Sequence, residues 1–511
     1  MINLRIPILL LAWLLVLSGC ATLPEDSGRK DVQRLVASRT GQVPASADAD
    51  IPKLVSSLLS QPLTAGGAGR VALLNNPSLQ AEYASLGIAA AEVYNAGRLA
   101  NPGFSLSVMV SDESSTPNQV TFGLAQSFTD LLLLSARSRL ANSEFERAKL
   151  EVGAAVIDLV ADVEVAYYNL VGAQQVATMR GHVAKAADAS ATLAQRFFDA
   201  GNINALDLAL EYAVASQAKL ERIQAEAATV AARNALNRLL GLGAGDDRWV
   251  TSDQLPLPVT KEDELSELLA LAGDSRLDLL AKRAQVALLA DKLGFDRQFR
   301  YVGDITVGID TERETDRSRI TGPNLSLELP IFNTGAGRIA QAEALVDQAE
   351  AQLQTLALAI GNDVQLAHSQ VLVARELLEQ YRDSLLPQRE AIVRLTQQEV
   401  NYMLEGQFQL LLVKQQEFDA FQAYLEALRD YWVARTELGR AVGTKLPSGK
   451  NIESETVGPS LFPDSPAQDM KHMHHGTGGM KGMESMDHSG MTMGPTELSQ
   501  PKIITLQGEQ Q

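Results

Sequence analysis

Chemistry-bearing side chains crowd one stretch of this 511-residue chain. From Met470 to Met493 stand His472, Met473, His474, His475, Met480, Met483, Met486, His488, Met491 and Met493. With Met470 they make four of the six histidines and seven of the eleven methionines. No aliphatic or aromatic residue accompanies them, so the thioethers have no core to fill. Thioether and imidazole ligands suit the soft cations Cu(I) and Ag(I), whereas zinc would favour thiolates, which this stretch lacks. Imidazole binds metal only when neutral, so binding should weaken below about pH 6.5 while the methionines persist as ligands. The plainer reading, a low-complexity tail over 451–511, fits the same composition.

The single cysteine, Cys20, excludes a disulfide framework within the chain. Arg5 and the apolar run Ile6 to Leu17 precede it, too short to span a bilayer comfortably. The run ends Leu17-Ser-Gly-Cys20, which resembles a bacterial lipobox. The expectation is a signal peptide over 1–19, acylation of Cys20, and an extended leader rich in Ser, Ala, Gly and Pro over 20–70. Ala21 rather than aspartate follows, which on this resemblance implies sorting to the outer membrane.

A net charge of −18 argues against nucleic acid as a partner. No proline falls between Pro117 and Pro256, and the intervening sequence is helix-compatible on both sides of Gly201-Asn202. The layout returns about 200 residues later around Gly406. In order, Asn76-Pro77 opens a helix to about Leu99. Phe104, Leu106, Val108 and Val110, then Val120, Phe122 and Leu124, alternate with small or polar residues as a β-hairpin. A helix of roughly 65 residues, a glycine bend and a shorter helix to Gly241 follow. The second copy has a helix from Asp274 to about Asp296 and strands carrying Ile305, Val307 and Ile309, then Leu325, Leu327, Leu329 and Ile331. A narrow heptad-like seam runs from Ile339 through Ile360 and Val371 to Leu378. Pro387 should interrupt that helix. The repeats occupy 71–250 and 251–450, joined by a linker over 246–261. His182 and His368 read as solvated or tunnel-lining, and Gly241-Leu-Gly-Ala-Gly245 as a helix end rather than a nucleotide loop. No catalytic constellation is present, so an enzyme is not expected.

Four strands of about nine to eleven residues cannot close a barrel, but three copies would supply about twelve, within the range of membrane barrels. With Arg196, Gly201, Leu206, Asp207 and Leu210 at the first bend, and Leu385-Leu-Pro-Gln-Arg-Glu-Ala leading to the second at Gly406, the duplicated module resembles the TolC family of outer-membrane efflux channels. The fold implied is mainly α with a small β part: a homotrimer with a twelve-stranded barrel in outer-membrane lipid on a periplasmic helical tunnel. The implied partners are a periplasmic adaptor and an inner-membrane pump of the RND type. The bends, with Arg196, Gly201, Leu206, Asp207, Leu210, Gly406 and Leu411, are the expected docking tips, and Gly201 and Gly406 are expected at positive φ. The family often carries aspartates after the second bend. Here Leu412 and Gln415 stand in those places, so the constriction falls to Leu412 and Gln415, or to Glu405 or Glu417. The tail's Met486-Asp-His-Ser-Gly-Met491 resembles the Met/His repeats of bacterial copper-resistance proteins, which points to the copper and silver branch of the family. The conduit itself needs no cofactor. Drugs or other organic solutes are the alternative cargo, and a pore-free periplasmic metal-binding lipoprotein is the alternative class.

Overall fold

A computed structural model describes residues 26–41, 50–110, 112, 117–243, 245–246 and 249–449. Cys20 and the whole Met/His stretch lie outside the described residues.

The expected extended leader is corrected at its first described residues. Helices α1 (Arg29–Thr40), α2 (Ile51–Leu59) and α3 (Ala65–Asn75) form there. Composition hid the reason: Val32 and Val36 form an apolar edge on α1. They pack with Leu79, Leu86 and Ala90 of α4 (Pro77–Ala96) and with Phe145, Val152 and Val156 further along the chain. Asp50 and Thr64 cap α2 and α3 by accepting from Lys53 N and Gly67 N.

Strands β1 (Gly103–Met109) and β2 (Gln119–Ser127) follow α4. Strand β2 runs straight into α5 (Phe128–Asp199), with Ser127 as its N-cap. This helix has 72 residues, about 108 Å at 1.5 Å per residue. After the first bend α6 (Ala205–Leu240) returns alongside it and stops at Gly241, φ 69°. The second copy opens with α7 (Leu265–Ser275), a helix the sequence reading missed, and α8 (Leu277–Gln298). Strands β3 (Ile305–Arg313) and β4 (Arg319–Leu327) precede α9 (Ala336–Gln380). A π turn over Tyr381–Leu385 joins α9 to α10 (Leu386–Asn401), and α11 (Gln407–Val442) returns after the second bend. The interruption expected from Pro387 is this π turn: proline cannot donate a backbone hydrogen bond, and it sits in the first turn of α10, where none is needed.

The strands form one antiparallel sheet in the order β1-β2-β3-β4. β1 has 7 residues, shorter than expected, and β4 ends before Leu329 and Ile331, where Pro330 has no N–H to continue the ladder.

The seam on α9 is as the periodicity implied. Ala342, Ala349, Ile360, Val364, Ala367, Val371 and Leu378 are buried, and the seam positions between them are half-buried. At the base Trp432 stacks on Tyr168, ring centroids 5.5 Å apart. The Glu262 carboxylate is almost fully buried; it accepts from Tyr431 Oη at 2.6 Å, and Arg375 and Arg435 also bind it. Burial, reinforced by Glu262, pushes the Tyr431 hydroxyl far above the ordinary tyrosine range, and burial pushes Tyr167 up to about 12.

Candidate functional site

Two regions stand out: the bends at one end of the helical hairpins and the sheet at the other. At the first bend Gly201 takes φ 74°, its N–H donates to Phe198 O (2.9 Å), and Asn202 N donates to Phe197 O (2.8 Å). Asn204 then caps α6 by accepting from Asp207 N at 3.0 Å. These bonds satisfy the carbonyls that end α5.

The second bend repeats the pattern with other residues. Met403 N donates to Val400 O (3.0 Å) and Leu404 N to Glu399 O (2.9 Å). Met403 takes the left-handed conformation at φ 63°, whereas Gly406 sits at φ −84° as the N-cap of α11 with no side chain to cap with. The expected positive φ at Gly406 is therefore corrected. Met403 matches Gly201, and Gly406 matches Asn204. A left-handed conformation costs a residue with a Cβ about 1–2 kcal/mol, and Met403 is 93% exposed, so packing does not offset it.

The expected tip residues Arg196, Leu206 and Leu210 are exposed and Asp207 is half-exposed. Leu411 is half-buried rather than exposed, and Leu412 is the exposed neighbour. The structure adds Tyr402, Met403 and Leu404, an exposed apolar triplet at the second bend. Three apolar residues at a helix end with no periodic partner were a visible signal. Of the constriction candidates, Glu405 is exposed and Gln415 half-buried, and Glu417 is buried with its carboxylate 2.6 Å from Lys414 Nζ. Higher up, Arg180 of α5 is 2.7 Å from Glu221 of α6 and 3.0 Å from Asp419 of α11, tying both hairpins together. His368 is half-buried with a ring nitrogen 3.1 Å from the Asp263 carbonyl, which replaces the solvated reading.

The sheet sorts its side chains by face. Register places Phe104, Leu124, Ile309 and Pro323 in one row, with Leu106 and Phe122 in the next. These apolar groups are largely exposed: Phe104 is 69% and Leu325 70% accessible. The other face carries Ser105, Gly123, Asp310 and Gly322 in one row and Ser107, Thr121, Glu312 and, as its one apolar member, Ile320 in the next. Asn324 donates to Asp310 and Gln119 to Glu312 across it. Both outer edges, β1 and β4, are unpaired among the described residues. Helix α9 also has a bare stripe. Leu358, Leu366, Val373 and Leu377 are each more than half exposed. At about 100° per residue they fall roughly opposite the seam. Among the described residues no helix is long and apolar enough to cross a membrane, and no group of three His, Cys, Asp or Glu side chains forms a metal cluster.

The family model for outer membrane efflux proteins matches residues 69–242 and 274–444, one stretch for each copy of the module. The cobalt-zinc-cadmium resistance protein CzcC of Cupriavidus metallidurans is 26% identical over 60% of this chain and 73% of its own. The CmeC outer membrane channel of Campylobacter jejuni superposes with a TM-score of 0.62 at 15% identity, covering 79% of this chain and 89% of its own. The CusC channel superposes at 0.58 with 18% identity, covering 77% and 92%.

Proposed function

We infer function from one premise: this chain belongs to the outer membrane efflux protein family. We propose that three copies form a passive conduit through the bacterial outer membrane, anchored by acylated Cys20. The observation that carries the trimer is the sheet. An apolar face exposed along four strands, with both edges bare, is stable only when lipid covers the face and another copy pairs with each edge. Three such sheets make twelve strands, with the Asp310 and Glu312 rows toward a wet lumen. The bare leucine stripe on α9 supports this reading, since a neighbouring copy's helices would cover it.

The bends are the docking tips for a periplasmic adaptor that links the conduit to an inner-membrane RND-type pump, which supplies the energy. Leu206, Leu210, Tyr402, Met403 and Leu404 offer the apolar anchors. The cargo is a heavy-metal cation. Two things support copper or silver: the ten named His and Met residues of the tail suit soft cations, and the relative CzcC is named for metal resistance. The metals in that name, cobalt, zinc and cadmium, make the second reading. The tail captures cation in the periplasm and is not part of the pore.

Conductance of the purified protein in planar bilayers tests the pore, and a monomer that conducts would overturn the trimer. Survival of a deletion strain on copper, silver, cobalt, zinc, cadmium and drugs assigns the cargo. Unchanged survival on all five metals would overturn the metal reading. Titrating the tail peptide 451–511 with Cu(I) against a chelator tests capture. No binding at micromolar Cu(I) would remove the tail's role.

A further inference from the structure

On the reading that the sheet crosses the outer membrane with its turns outward, we propose that Arg313, Arg317 and Arg319 form a site for the phosphate groups of an outer-leaflet glycolipid. Arg313 and Arg319 are direct cross-strand partners at the end of the β3–β4 hairpin. Their row continues through Val120 to Val108, so both arginines lie on the apolar, lipid-facing side. Arg317 stands in the turn between them at φ 70°. All three side chains are exposed, and among the described residues none makes a side-chain hydrogen bond or ion pair.

Like charges directly opposite on one face of a sheet repel. Among the described residues no carboxylate, Glu314 and Asp316 of the same turn included, is ion-paired with these arginines. Glu312 belongs to the other face and is engaged by Gln119. Asp310, also on that face, is engaged by Asn324. Asp316 accepts from Ser318 N at 2.7 Å. Alternation along Glu312-Arg313 thus sends acid to the lumen and base to the lipid. A phosphate placed between the two guanidiniums would neutralise both, and guanidinium binds phosphate through paired N–H groups. Below the arginines Thr311 and Thr321 touch through their hydroxyls at 3.2 Å, and the exposed apolar band of Ile309, Leu325 and Leu327 begins beyond them. Polar heads above and acyl chains below match that order on β3 and β4, while the same rows on β1 and β2 carry Val108, Val120, Leu106 and Phe122. One rival source of negative charge is Asp112 in the β1–β2 loop, which a neighbouring copy would bring to the β4 edge.

The experiment extracts the full chain from outer membranes in mild detergent and measures bound lipopolysaccharide by native mass spectrometry. The wild type is compared with R313Q/R319Q, D112N, and the wild type washed with millimolar inorganic phosphate. Expected is a double variant that stays trimeric and conducting with about tenfold less bound glycolipid, as the loss of two solvent-screened charge pairs implies. The phosphate wash and D112N should leave binding unchanged. Equal retention by the double variant would overturn the site. Release by inorganic phosphate would reduce it to a free-anion site. Loss of the trimer in both R313Q/R319Q and D112N would assign the arginines to a subunit contact instead. A wild type that neither inserts nor conducts would instead overturn the membrane reading on which the site rests.

Discussion

The two copies of the module close their bases in the same place with different chemistry. In the first, Asn75 Nδ2 donates to the carbonyls of Leu240 (3.0 Å) and Gly241 (2.8 Å), and Asn76 Nδ2 to that of Leu239 (2.7 Å). Asn237 Oδ1 accepts from Trp249 Nε1 at 3.1 Å. In the second, Arg276 Nη1 donates to the Ala441 carbonyl at 3.0 Å while Nε and Nη2 hold Asp278. Glu262 gathers Arg375, Arg435 and Tyr431 beside it. What the module fixes is that the last carbonyls of each returning helix find a donor. Neutral amides serve in one copy and charged groups in the other, so burial and pH should act on them unequally.

The widest gap between the copies should come from Glu262→Gln. It leaves Arg375 and Arg435 without their buried countercharge and should cost about 3–5 kcal/mol. Asn237→Ala, which unpairs the Trp249 indole in the first copy, should cost about 1–3 kcal/mol. Chemical denaturation of the detergent-solubilised protein measures both, and equal losses would break the contrast.

Glycines reverse the order. A Cβ at Gly241 would meet the Asn75 carbonyl oxygen at 2.4 Å, whereas at Gly443 it would lie 3.1 Å from Arg276 Cα, and both residues have positive φ. Gly241→Ala should therefore cost about 3 kcal/mol from strain and overlap together, and Gly443→Ala about 1–2. The ranking is read by thermal unfolding.

Acid should separate the copies further. Burial pulls the Asp278 carboxyl up, but hydrogen bonds and charge from Arg276 outweigh it, so its pKa lies below the ordinary value. Its contribution is complete above the unfolded value near 4 and disappears as pH falls through the folded value. Asp278→Asn should cost about 1 kcal/mol near pH 6, allowing for solvent screening, and the cost should vanish once pH falls below the folded value. Ser78, in the corresponding place of the first copy, has no charge to lose. A stability difference that persisted undiminished in acid would remove the ion pair as its cause.

The smallest effects sharpen the same comparison at the bends. Gly201→Ala should cost about 1 kcal/mol, Met403→Gly should gain about as much, and Gly406→Ala should cost about 0.5 kcal/mol, since it has ordinary φ and open space around it but an N-cap disfavours alanine. A large loss at Gly406 would mean that bend is built otherwise.

Period and punctuation made the module legible. The α9 seam, the strand alternation and the bend at Gly201-Asn202 follow from spacings of three, four and two that local geometry enforces. The second bend misled because a glycine in sequence is not always the residue that turns: helix termination there selected Met403, three residues earlier, at a cost that composition does not show. The leader misled because α1 is stabilised by two valines packed against distant residues from Leu79 to Val156, and tertiary burial outweighed local composition. The exposure of Leu206 and Leu210 was legible. The pairing of Arg313 with Arg319 was not, since cross-strand register decides which side chains face each other.

Gly172 gives the long helix mechanics of its own. A Cβ there would lie 3.0 Å from the Arg429 side chain, so α5 presses against α11 at that point more closely than a larger residue would allow. The 27 residues from there to Asp199 form an arm of about 40 Å. Pivoting on that fulcrum by about 5° would carry the bend sideways by roughly 3–4 Å, close to a side-chain width, while the packing at the pivot shifted by a fraction of an ångström. A pivot at Gly172 would therefore act as a gear, turning minor repacking there into displacement at the far end, and the Arg180 ion pairs a short way along the arm would resist it.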